Sequence, residues 1–179
     1  MKISRIGGVI AAASKKNAEP LLQIGTIPII KRIVISFQQA GIFPIVVVTG
    51  AEEDEVKYQL SSYGVIFIHN ENCEQPELID SVKIGLMYLL GKCDRIVFTP
   101  VNVPMFTPDT LNRLLASQGN IVAPFYKNRS GHPIVFSEAI VPEIIAYSGS
   151  EGLRDAISRM ADRRVFVPVN DPGIFISVR

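Results

Sequence analysis

Short runs of small and β-branched apolar residues alternate with amphipathic stretches along the chain, and this alternation restricts the possible folds more than any other feature. Ile6 to Ala13 is apolar without interruption, the pattern of a strand covered on both faces. Ile45 to Thr49, Val65 to His69 and Arg95 to Thr99 repeat it. Between them, Ile27 to Ala40 places Ile29, Ile30, Ile33, Val34 and Phe37 on one helical face, and Gly41 supplies the stop. Glu52 to Leu60 suits a polar-faced helix, and Glu77 to Leu90 an amphipathic one with Leu78, Val82, Leu86 and Leu89 inward. The second half reads as a helix (Pro108 to Ser117), a strand (Ile121 to Phe125), a turn (Asn128 to Gly131) and a strand (Pro133 to Phe136). Two helical stretches follow, Glu138 to Tyr147 and Glu151 to Met160, then two short strands, Val165 to Val169 and Gly173 to Val178. Strands interleaved with helices imply right-handed crossovers and a doubly wound, mostly parallel α/β sheet. Ligands of such sheets sit outside the carboxyl ends of the strands, so the loops after the first strand and after Thr99 are where a site is expected.

The 179 residues suit one domain, taken as residues 1–179. Eighteen basic against 17 acidic side chains leave a net charge of +1, too little to hold a nucleic-acid backbone by bulk attraction, so any phosphate must be gripped locally. No apolar run approaches the ~20 residues that span a bilayer. Cys73 and Cys93 stand in no CxxC spacing and near no histidine cluster, which argues against a disulfide scaffold or a zinc site. These readings place the protein in the cytoplasm, without nucleic-acid or membrane partners.

Motifs then fall in a recognisable order. Ile10-Ala11-Ala12-Ala13-Ser14-Lys15-Lys16-Asn17-Ala18-Glu19-Pro20-Leu21-Leu22 is followed by Gly25-Thr26-Ile27-Pro28-Ile29-Ile30. Asn70, Ser81 and Gly85-Leu86 come next, then Val101-Asn102-Val103-Pro104, Gly131-His132-Pro133, Gly149-Ser150-Glu151-Gly152-Leu153-Arg154 and Asp171-Pro172-Gly173. Together these resemble the MobA-like nucleotidyltransferases of molybdenum-cofactor synthesis, in which an LAAGxSxRMGxxKxLL loop is followed by Asn, SLxxGL, GDxP, G[HN]P, GDxGAR and DPG elements. The resemblance covers nearly the whole chain and implies a Rossmann-like nucleotidyltransferase fold. It also implies transfer of CMP or GMP from CTP or GTP to a phosphorylated acceptor such as molybdopterin, with Mg²⁺ as cofactor and a molybdoenzyme-maturation partner. Nucleotide contacts then fall on Ala12, Ala13, Ser14, Lys15, Lys16, Glu19, Asn70 and Ser81, and acceptor contacts on Gly131, His132, Pro133 and Arg154. Asn102, with Lys15 and Lys16, takes the catalytic positions, and Asn102 and Ser177 take the two metal positions.

Several of these positions carry different chemistry from the family pattern. The first loop is about three residues shorter and lacks its glycines; Glu19 replaces the phosphate-binding lysine, leaving Lys15 and Lys16 as the nearby cations. Asn102 and Ser177 stand where the family has aspartates, and Arg179 comes before the family's closing stretch. Two readings therefore stay open: an active transferase, and a homologue that binds nucleotide or pterin, or regulates, without turnover. A sugar-phosphate nucleotidyltransferase is a third. At single residues, Asn102 is either a weakened ligand or a turn residue, and His132 either a substrate contact or a structural hydrogen-bonder. Arg154 is either an anion holder or a solvated helix residue, and Arg163-Arg164 reads as surface charge.

Overall fold

The computed structural model describes residues 3–13, 19–72, 75 and 77–179, with the side chain of Glu19 excluded. Its strands are β1 (Ile6–Ala11), β2 (Gln23–Ile24), β3 (Ile27–Pro28), β4 (Ile45–Thr49), β5 (Ile66–His69), β6 (Arg95–Pro100), β7 (Ile121–Tyr126), β8 (Arg129–Ser130), β9 (Ile134–Ser137) and β10 (Arg164–Pro168). Helices are α1 (Ile29–Gln39), α2 (Glu53–Leu60), α3 (Leu78–Leu89), α4 (Pro108–Ala116), α5 (Val141–Ala146) and α6 (Gly152–Ser158). The main sheet runs β10-β7-β9-β6-β1-β4-β5, with β8 attached to β7 and β2-β3 forming a separate pair. Only β9 and β8 run antiparallel to their neighbours in the main sheet.

Side chains alternate across the pleat, so each central strand feeds two cores. Val9, Val46, Val48, Ile96 and Phe98 pack with α3, α5 and α6, whereas Ile10, Ile45, Val47 and Val97 pack with α1, α2 and α4. A Cβ on Gly85 would stand 2.4 Å from Val9 Cγ1, so glycine there lets α3 lie close against β1. Cys93 is buried in the first core, where desolvation raises its thiol pKa, as expected of a packing residue. Cys73 lies outside the described residues.

The expected strands and helices are present, with four differences. Ile27 and Pro28 pair with β2 instead of opening α1. Leu78 is exposed, and Ile79, Val82, Leu86 and Leu89 form the inward face of α3. Glu138–Ile140 is a 3-10 turn leading into α5. Gly173 to Val178 is not a strand: Pro172–Phe175 is a 3-10 turn capped by Asp171, whose Oδ1 accepts from Gly173 N at 2.9 Å. Among the described residues, no helix is long and apolar enough to cross a membrane.

Candidate functional site

β1, β4, β5 and β6 are mutually parallel, so their carboxyl ends open on one edge of the sheet. Ala12 N donates to Val48 O (2.8 Å) and Val101 N to Ala11 O (3.0 Å), which sets the loop after β1 directly beside the loop after β6. These two loops, expected to frame a crevice, therefore start side by side. Ala12 is buried and Ala13 half-buried; Ser14, Lys15, Lys16 and the side chain of Glu19 lie outside the described residues. Asn70 follows β5 and Ser81 faces it from α3: both are buried, and Asn70 Nδ2 donates to Ser81 Oγ at 3.2 Å. Asn70 Oδ1 also accepts from Asn72 N at 3.0 Å, so this pair braces the loop after β5 against α3.

One further group closes this edge. Thr49 Oγ1 and Lys57 Nζ donate to the carboxylate of Glu53, and His69 Nδ1 lies 2.8 Å from its Oε2. The bonds from Lys57, Thr49 and His69 hold the Glu53 carboxyl down at about 2. Sequence reading missed this cluster, because its members come from two strand ends and a helix.

Asn102 and Ser177 meet. Asn102 Nδ2 donates to Ser177 Oγ at 3.1 Å, and Val178 N donates to Asn102 O at 2.8 Å. Of the two readings of Asn102, the turn residue has backbone support, since Asn102 lies in the turn that ends β6 with Val103 N donating to Pro100 O at 3.2 Å, while its side chain reaches Ser177. Arg32 on α1 steadies the same loop through Nε to Pro104 O at 3.2 Å. Asp171 is buried and fully engaged elsewhere, its Oδ2 accepting from Thr107 N (2.8 Å) and Thr110 Oγ1 (2.7 Å). It holds the last segment to the start of α4. Among the described residues, no group of three or more His, Cys, Asp or Glu could hold a metal ion.

Beside this junction a cavity of about 700 Å³ runs over the face of β9, β7 and β10 beneath α6. Val103 and Ile174 line its near end, and Ala123, Phe125 and Phe166 its wall. Gly131, His132 and Arg154, expected at the acceptor, all line it; Pro133 is buried next to them. A Cβ on Gly131 would stand 2.1 Å from Ile174 O, and His132 N donates to that oxygen at 2.7 Å. His132 is not a structural hydrogen-bonder through its ring: Nδ1 is buried without a partner among the described residues, and the ring packs edge-on to Phe98. Desolvation pushes its pKa down to about 4, so it is neutral at pH 7.

The paired arginines separate. Arg163 is surface charge, its guanidinium donating to both oxygens of Glu143, whereas Arg164 turns into the cavity with Arg129. The strand expected from the sequence begins only at Val165; β10 starts one residue earlier, which puts Arg164 on the same face as Phe166.

The chain is similar to known proteins over most of its length. The family model described as the MobA-like NTP transferase domain matches residues 11–165. No curated protein is significantly similar in sequence. Among solved structures, a nucleotidyl transferase from Methanothermobacter thermautotroptrophicus is 20% identical with a TM-score of 0.80, covering 94% of this chain and 88% of its own. The Rv0371c protein of Mycobacterium tuberculosis H37Rv, solved with manganese, is 20% identical with a TM-score of 0.75, over 93% and 90% of the two chains. A CMP:2-keto-3-deoxy-manno-octonic acid synthetase complexed with CTP is 13% identical, with a TM-score of 0.68 over 93% and 91%.

Proposed function

Because the chain belongs to the MobA-like NTP transferase domain family, we propose that its crevice binds CTP, or alternatively GTP, and that the adjoining cavity binds a phosphorylated acceptor. This layout suits transfer of a nucleoside monophosphate. An oxygen of the acceptor phosphate forms the new bond to the α-phosphorus, the bond from that phosphorus to its bridging oxygen breaks, and pyrophosphate leaves with the electron pair. CTP is favoured by the Gly149 to Arg154 element and by the CTP held in one similar fold. Molybdopterin is the acceptor that the family resemblance suggests. A cytoplasmic location and a molybdoenzyme-maturation partner belong to the same reading.

The observation that carries the proposal is the contact between Asn102 and Ser177, 75 residues apart, close to Val103 and Ile174, which line the cavity. It also limits the chemistry. Mg²⁺ favours hard, anionic oxygens, and this pair offers one amide and one hydroxyl with no formal charge. The residues present therefore do not fit a protein-held Mg²⁺. The neutral junction favours a second emphasis, a homologue whose binding of nucleotide and pterin outlasts its turnover and serves regulation.

Calorimetry with CTP and with GTP tests the binding. Weak binding is expected, tightened in Glu19→Lys, because a cation then stands where the family places one. No tightening would mean that Glu19 does not face the triphosphate. No binding of either nucleotide would overturn the function.

A further inference from the structure

The cavity is far more positively charged than the molecule. Arg129, Arg154 and Arg164 line it together with His132, and no aspartate or glutamate does so among the described residues. Six other arginines differ in kind, the terminal Arg179 aside. Arg5, Arg113, Arg159 and Arg163 pair with carboxylates, and Arg32 and Arg95 donate to backbone carbonyls. The three cavity arginines have no hydrogen bond or ion pair within the described residues, and Nε of Arg164 is buried without a partner. Unpaired guanidinium groups around an acid-free cavity make a receptor for anions.

Their placement specifies more. Arg164 pairs with Ile121, Ile121 with Phe136, and Phe136 with Ile96, so Arg164 stands level with the start of β6. Asn102 lies beyond the opposite end of β6 and three strands away, roughly 25 Å from Arg164 by ordinary strand spacing and rise. One phosphate at the junction cannot also satisfy Arg164. Between the two ends, the wall is apolar and aromatic: Phe125 lies against Phe166 with ring centroids 5.3 Å apart, and the Arg164 guanidinium lies 4.7 Å from the Phe166 centroid.

We propose that the acceptor is an elongated dianion: the phosphate that takes the nucleotidyl group lies at the junction, an unsaturated body lies along Phe125 and Phe166, and a second anionic group is held by Arg164 with Arg154. This rests on the reading of the cavity as the acceptor pocket. It adds a specificity element, because an acceptor lacking the second charge leaves the buried Nε of Arg164 unpaired.

The test uses two probes on the full chain, biphenyl-4-yl phosphate and its 4′-carboxylated counterpart, with affinities from calorimetry and CTP titrated separately. In the wild type the carboxylated probe should bind about tenfold tighter, the factor carried by one charge-assisted hydrogen bond. Arg164→Gln should remove that gain while leaving the plain phosphate probe and CTP unchanged. Arg154→Gln, on an exposed helix position, should reduce the gain and serves should Arg164→Gln fold poorly. Equal binding of both probes, no binding of either, or an equal loss for both in Arg164→Gln would overturn the proposal. Loss of CTP binding alone would count against the nucleotidyl-transfer reading and leave the charge preference of the cavity standing.

Discussion

His132 shows how one side chain records its surroundings. Burial disfavours the imidazolium, so the folded value is about 4 against 6.5 in the free residue. Between those values the unfolded chain holds more protons than the folded one, so His132's contribution is complete above about pH 6.5 and declines as pH falls toward about 4. His132→Phe keeps a ring against Phe98 and removes the titration. Urea unfolding at about pH 7 and about pH 5 should therefore show a steeper loss for the wild type; parallel losses would contradict the burial. Glu53 acts over a lower window, because its depressed carboxyl contributes above about 4.5 and is lost as pH falls toward about 2. The sequence brought His132 to notice through Gly131-His132-Pro133, but its missing partner was not legible, because the ring's surroundings include Phe98 on β6, distant in the chain. Asn102 and Ser177 were legible as a pair only through the family resemblance, and their hydrogen bond had no local signal.

Among elements, the final segment was the hardest to read and holds the junction in place. Gly173 to Val178 has the apolar alternation of a strand, yet Asp171 caps a 3-10 turn and ties it to α4. The close approaches at Gly131 and Gly173 then set its path: a Cβ on Gly173 would stand 2.1 Å from Met105 O. Propensity could not reveal this, since the deciding contacts are with backbone atoms of other loops. Asp171→Ala should leave Thr107 N and Gly173 N without that acceptor and destabilise the protein by about 1–3 kcal/mol. Gly131→Ala should displace the strand of chain carrying Ile174, exposing residues 172–179 to faster amide exchange than the β1–β6 centre. Unchanged exchange there would show that the segment is held by other contacts. The central strands, in contrast, were plain in the sequence, because a strand buried on two faces needs apolar residues at every position. Gly85 marks the same centre, and Gly85→Ala should cost about 1–3 kcal/mol by forcing α3 off Val9.

At the scale of the molecule, fold and motif order agree: the parallel strand ends share one edge, and a cavity lies beside the contact of the neutral Asn102 and Ser177. The layout was legible from periodicity and resemblance, whereas the cationic lining of the cavity was not, because Arg129, Arg154 and Arg164 come from three separate elements. Catalysis of phosphoryl chemistry depends on charge placed where it develops in the transition state. A neutral junction should thus give nucleotide binding with little transfer. The most direct measurement is pyrophosphate release with CTP, Mg²⁺ and molybdopterin, combined with Mg²⁺-dependent CTP binding. It should be run on the wild type, on the double variant Asn102→Asp with Ser177→Asp, and on a family member that keeps every motif. CTP binding with little release is expected of the wild type, and tighter Mg²⁺-dependent binding of the double variant. Wild-type turnover comparable with that of the intact family member would contradict this expectation.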